Sequence, residues 1–169
     1  MPSIDFSRIG PFFHNYMRMV GTEDLAEALR IHEEALSSFL TSLPAEKWDY
    51  RYAEGKWTIR ELVQHIIDAE RIFAYRALCI ARNDQTAFPP FEENDYVVYS
   101  EANRRSAEEL LAELLVVQRS TILLFRSFSE EQLERNGTVS GGVAYVRGLA
   151  FVTVGHALHH RQILEERYL

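Results

Sequence analysis

The sequence predicts an all-α protein: a four-helix bundle in up-down-down-up order, with a long crossover between the second and third helices. Three observations carry that prediction. Apolar residues recur with a 3.6-residue period through four segments of about 20–25 residues each. An irregular, proline-bearing stretch at residues 83–99 separates the second segment from the third. Histidines inside the second and fourth apolar stripes sit at matching depths only if those two helices run antiparallel.

The first helix is expected over residues 22–43. Thr22 can cap its start, and Leu25, Leu29, Leu36, Phe39 and Leu43 form one stripe before Pro44 stops it. The second is expected over 58–82 and has the clearest start signal. Thr58 and Glu61 form a capping box, and Trp57 ahead of the cap can pack on Leu62 as a hydrophobic staple. Its inward stripe reads Leu62, His65, Ile66, Ala69, Phe73 and Ala77. The third is expected over 100–128, with Ser100 and Ser106 as rival caps, Ser106 having Glu109 three residues on. Leu110, Leu114, Val117, Thr121, Leu124 and Phe128 form its seam, and residues 129–134 can add a short helical turn. The fourth follows Gly141-Gly142 and is expected over 143–168, with Leu149, Val152, His156, His160, Ile163 and Arg167 on its stripe. Period-two alternation, the mark of a strand, is approached only at residues 138–146.

Composition narrows the function classes. A chain of 169 residues with 47% hydrophobic and 25% charged residues has the makings of one globular domain, residues 1–169, rather than a disordered one. Its single cysteine, Cys79, excludes an internal disulfide framework and a cysteine-based zinc knuckle. No run approaches the ~18 apolar residues of a membrane span. Met1-Pro2-Ser3-Ile4-Asp5 lacks the charged-then-apolar pattern of a secretory signal. These features lead to an expectation of a cytoplasmic protein with no membrane partner. The net charge of −7 argues against nucleic acid as a partner, because phosphate attraction needs a basic footprint.

The chemistry lies in the histidines. His156 and His160 are four residues apart and share one helix face, so both imidazoles can reach one metal ion. His65, from a facing helix, is the natural third ligand. Three nitrogen donors leave at least one coordination position for water or substrate, which is the layout of a catalytic site rather than a closed structural one. Imidazole ligation suits zinc, nickel, copper or iron without choosing among them. His65 lies about 7 residues into its helix, roughly 10 Å from that end, and His160 about 8 residues from the end of the last, roughly 12 Å. Antiparallel second and fourth helices therefore bring them level. The second and third helices must then be parallel, and a 17-residue crossover spanning up to about 56 Å can return along a helix of about 37 Å.

Several residues have two readings. Asp68, one turn after His65, can orient a ligand imidazole or act as general base; it can equally pair with Arg71. Glu70 reads better as a partner of Arg76. His159 reads as a half-buried surface residue more than as a site residue. His32 lies near the first stripe and could approach the site, and His14 falls outside the bundle pattern. Cys79 reads as a small core residue. Phe91, Tyr96 and Tyr99 on the crossover pack as loop aromatics or cap the site mouth.

The chain resembles the DinB/YfiT-like superfamily of metalloenzymes over nearly its whole length. The resemblance rests on Arg51-Tyr52 through Gly55-Lys56-Trp57-Thr58, on His65 through Arg71, on Phe88-Pro89-Pro90-Phe91, and above all on Gly155-His156-Ala157-Leu158-His159-His160. It implies a four-helix bundle, often a homodimer, that holds a divalent metal through residues matching His65, His156 and His160. Zinc or nickel is the foremost expectation, with iron or manganese next. The reactions it implies are metal-dependent hydrolysis, or S-transfer with a low-molecular-weight thiol cofactor such as bacillithiol, mycothiol or glutathione, on a small-molecule substrate. A non-catalytic metal-binding or stress-response bundle acting through dimerisation is the alternative.

Overall fold

The computed structural model describes residues 4–169. In chain order its helices are α1 (His14–Met19), α2 (Leu25–Glu34), α3 (Ser37–Thr41), α4 (Ile59–Ala81), α5 (Glu93–Ser100), α6 (Ala107–Arg126), α7 (Glu130–Leu133) and α8 (Val146–Arg167). Three short strands, β1 (Ala87–Phe88), β2 (Asn136–Val139) and β3 (Gly142–Tyr145), form a small sheet.

The bundle proper is α2, α4, α6 and α8, and hydrogen bonds across it give the directions. The Tyr168 hydroxyl, at the end of α8, donates to the Trp57 carbonyl just before α4 (2.8 Å). At the far end Arg135, whose carbonyl accepts from the first amide of α8, donates to the Ala81 carbonyl that closes α4 (2.7 Å). Helices α4 and α8 are therefore antiparallel. The Thr58 hydroxyl donates to Asn103 (2.7 Å), which places the start of α4 beside the approach to α6; Arg71 of α4 pairs with Glu113 of α6 further along. Those two helices run parallel. Arg161 of α8 reaches the Ala35 carbonyl after α2 (3.2 Å), while Leu25 and Leu29 pack with Leu149, so α2 and α8 are parallel. The order is up-down-down-up, and the crossover of residues 82–106 makes the parallel pair possible.

The capping boxes expected at Thr58–Glu61 and Ser106–Glu109 both form, and Ser129–Gln132 adds a third. Ser106 rather than Ser100 begins the third bundle helix. The first differs more from expectation. Asp24, not Thr22, caps it, accepting from the amides of Ala26 and Glu27. The stripe then breaks at Ala35–Leu36 into α2 and α3, and Arg161 satisfies the Ala35 carbonyl at the break. Leu36 of the expected stripe is buried, but Phe39 and Leu43 are only partly so, and Leu40, outside that stripe, is buried with Leu36.

Residues 136–145 depart from an all-α description. β2 and β3 pair antiparallel, with Asn136 opposite Tyr145 and Val139 opposite Gly142, and β1 joins β2 in parallel. Their turn is Ser140-Gly141, both at positive φ (52° and 77°), as a two-residue hairpin with native twist requires. The last helix consequently begins at Val146 instead of residue 143. The crossover, expected to be irregular, contains β1 and α5. No helix among the described residues is long and apolar enough to cross a membrane.

Candidate metal centre

The Thr58 cap sets the phase of α4 and so places His65 on its second turn, facing α8. His156 and His160 stand one turn apart on α8. Gly155 makes room beside them. A Cβ at that position would lie 1.9 Å from the Tyr16 carbonyl oxygen, so a glycine is what lets α1 press against α8. Tyr16 then sets its ring edge-on to His156 (centroids 5.5 Å) and near His159 (5.3 Å). Phe73 meets His156 from α4 (5.5 Å), and Trp57 lies over His65 (4.9 Å).

These contacts aim three nitrogens at one point. The Nε2 atoms of His65 and His156 are 3.2 Å apart, and those of His156 and His160 are 3.0 Å apart. All three side chains are buried, at 5–7% exposure. Burial pushes all three imidazoles below their ordinary pKa, His65 to about 4, so each is neutral at pH 7 and offers a lone pair. Three neutral rings that turn Nε2 on one another cannot all be satisfied by shared protons, since each contact needs one donor and one acceptor. A cation between them removes the conflict. Zinc–imidazole bonds of ~2.0–2.1 Å at tetrahedral angles separate ligand nitrogens by about 3.3 Å. The observed spacing fits that donor set.

The histidines lie at the floor of an open cavity of about 620 Å³. Phe12, Phe13, Tyr16, Trp57, Phe73 and Phe91 line it as an aromatic wall, with the Ser140–Gly142 turn, His159, Arg76 and Glu93 completing the lining. Such a concave, largely apolar space with a few convergent polar groups is the form of a small-molecule site.

The other candidates fall as follows. Asp68 is not brought to the cluster. It accepts from the Gln64 amide (2.9 Å) and lines a separate surface pocket with Arg71, Tyr96, Tyr99 and Arg105. Burial raises its carboxyl pKa, outweighing the Gln64 bond and the nearby arginines. The expected Asp68–Arg71 and Glu70–Arg76 pairs do not form, since Arg71 bonds Glu113 and Glu70 bonds His32. His32 is fully buried with Nε2 3.0 Å from Glu70 Oε1, outside the three-nitrogen cluster. His14 bonds the Ile9 carbonyl (3.1 Å). His159 is half-buried, and burial lowers its pKa. Phe91 reaches the cavity, whereas Tyr96 and Tyr99 do not. Sequence reasoning missed Tyr16, Phe12, the β2–β3 turn and Arg76 as lining residues. Arg76 alone carried a usable signal: it follows His65 by eleven residues, close to three full turns along the same face.

Comparison with known proteins gives the chain its relatives. A protein of Geobacillus thermodenitrificans named "Putative metal-dependent hydrolase" is 29% identical over 147 residues, covering 82% of this chain and 80% of its own length. A protein of Oceanobacillus iheyensis with the same designation is 26% identical over 147 residues, covering 83% of each chain. The solved structure of YfiT from Bacillus subtilis, described as "a probable metal-dependent hydrolase with an unusual four-helix bundle topology", shares the fold. It superposes with a TM-score of 0.70 at 18% identity, over 98% of this chain and 89% of that one. The family model of the DinB superfamily matches residues 28–164, and the chain belongs to that superfamily.

Proposed function

We propose that this protein is a divalent-metal-dependent enzyme that hydrolyses a small molecule, with His65, His156 and His160 as the metal ligands. The observation that carries this reading is the convergence of three neutral Nε2 atoms at the floor of an accessible cavity. When bound, such an ion supplies Lewis-acid chemistry, lowering the pKa of water or a thiol towards neutrality and polarising a substrate oxygen. The protein's own residues do the rest. The histidines stay unprotonated because burial disfavours their cations. The aromatic wall binds the apolar part of a substrate and excludes bulk water. Tyr16, whose hydroxyl is pushed above its ordinary pKa by burial and by Glu93, keeps its proton and remains a hydrogen-bond donor at neutral pH. Among the described residues Glu93 is the carboxylate that lines the cavity, so the proton-accepting role falls to it instead of Asp68.

Elemental analysis of tag-free protein by plasma mass spectrometry tests the reading. About one zinc, nickel, iron or manganese per chain is expected, falling to near zero in His65→Ala. Chelation should lower the thermal midpoint of the wild type, since ligand at 100 times its Kd stabilises by about 2.7 kcal/mol. Full metal content in His65→Ala, or no uptake of any of these ions by the wild type, refutes the site.

A further inference from the structure

We propose that Arg76 anchors an anionic group of the substrate, a carboxylate or a phosphate, at the end of the cavity away from the histidines. The inference rests on the reading of the cavity as a substrate site. Arg76 lines that cavity and is 4% exposed. No carboxylate among the described residues lies within ion-pair distance of it, and Glu70, the partner its sequence position suggests, is bonded to His32. Its guanidinium has five donors. One nitrogen donates to the Pro89 carbonyl, and the Phe91 ring lies 5.9 Å from its central carbon. Neither contact neutralises the charge. Burial pulls its pKa down, but a guanidinium starts so high that it stays a cation at any physiological pH. A buried, permanent cation with unused donors facing an open cavity is a poor structural element and a good anion receptor, because the planar fork matches two oxygens of a carboxylate or phosphate at once.

The position adds an order. The backbone of Arg76 lies three helical turns from that of His65 on one face of α4, about 16 Å along the axis. Phe73 stands between them and touches His156. The substrate class that follows has an anionic head at Arg76, an apolar middle against the aromatic wall, and its reactive group at the histidines. Glu93 also lines the cavity but is exposed and beyond ion-pair distance of Arg76. The chain's net charge of −7 offers such a ligand no long-range attraction, so discrimination must come from Arg76 itself.

Titration calorimetry with three probes of one length tests this: hexanoate, hexyl phosphate and the neutral hexanamide. The full-length wild type should bind at least one of the two anions tenfold or more tighter than hexanamide, and the tighter anion identifies the head group. In Arg76→Gln that preference should vanish while hexanamide binding persists. In His65→Ala the preference should survive, because the anion is held away from the histidines; this separates the proposal from the metal reading, which is judged by metal content. Equal binding of all three probes to the wild type overturns the proposal. A preference that survives in Arg76→Gln also overturns it, and its disappearance in His65→Ala would then place the anion at the histidines. Should Arg76→Gln not fold, the Nε–H resonance of Arg76 in the wild type serves: it should shift with the preferred anion and stay put with hexanamide, and no shift refutes the assignment.

Discussion

The buried arginines and histidines of this molecule fall into two groups that treat charge in opposite ways. Under the α7 end, Arg147 is 4% exposed and bonded to Glu134 (2.7 Å) and Glu130 (2.6 Å), with Glu134 also taking Arg8. In the bundle interior His32 has Glu70. Around the cavity His65, His156, His160 and Arg76 are as deeply buried, yet none has a carboxylate partner among the described residues. Burial would lower the pKa of both arginines. At Arg147 the two glutamates outweigh it and the pKa rises; at Arg76 it falls. Buried polar groups in native proteins are normally paired, and the exceptions call for an explanation. Gln118, His32 Nδ1 and Glu70 Oε2 are unpaired outside the cavity, but the buried basic groups without a carboxylate share it, and a ligand that pairs those four on binding accounts for them together.

The sharpest way to break the contrast is to strip a partner from the closed region. His32→Ala leaves the Glu70 carboxyl in the core, with Oε2 already lacking a partner. Removing one member of a buried pair typically costs ~3–5 kcal/mol. Urea unfolding should show a midpoint lowered accordingly at unchanged slope, while the metal content stays at the wild-type level. His65→Ala should do the reverse, losing the metal. If His32→Ala instead emptied the metal site at full stability, the two regions would be one.

Acid should separate the regions by pH. In the metal-free chain His65 has its pKa pushed from 6.5 to about 4, by burial first and His159 second. The unfolded chain takes up this proton below pH 6.5 and the folded chain does not until about pH 4. Stability is therefore full above 6.5 and declines as pH falls to 4, by about 3 kcal/mol for 2.5 units at 1.36 kcal/mol each. His156 and His160 shift in the same direction and steepen the fall. Glu134 behaves differently: burial would raise it, but Arg147 and Arg8 prevail and hold it below the usual carboxylate range. Its contribution is intact above pH 4.5 and is lost only below. Urea midpoints of chelator-treated protein, taken from pH 8 to 3.5, should fall first through the histidine window. A flat profile between 6.5 and 4.5 would contradict the burial of the cluster as neutral rings.

How much of this could be read from the chain depends on how local each feature is. The Thr58–Glu61 box, the four-residue spacing of His156 and His160, and the matching depth of His65 involve short separations plus one topological inference, and the structure brings those three histidines together as the spacing implies. The break at Ala35–Leu36 was not legible. Both residues suit a helix, and the carbonyl released there is satisfied by Arg161, 126 positions away. Asp68 sits one turn from His65, but the direction of its side chain is decided by Gln64, itself held by Arg105 (2.7 Å). The state of Arg76 was hidden for the same reason. Whether it has a partner depends on Glu70, and Glu70 is taken by His32 from α2.

The smallest effect, and the most local test, is at the wall between the cavity and α1. Gly155→Ala improves helix propensity by about 1 kcal/mol. Against that gain, the new methyl meets backbone atoms of Tyr16, not a side chain that can swing away: the carbonyl oxygen at 1.9 Å and its carbon at 2.3 Å. Overpacking of this kind costs ~1–3 kcal/mol, so a modest net loss is expected. The effect on the site should be larger than the effect on stability. To admit the methyl, α1 must move off α8, carrying Tyr16 from its edge contacts with His156 and His159, while the closed region around Arg147 keeps its bonds. The thermal midpoint should drop by a few degrees, and affinity for hexanoate or hexyl phosphate should weaken with it. Unchanged binding in Gly155→Ala would mean that α1 is not part of the cavity wall that holds the ligand.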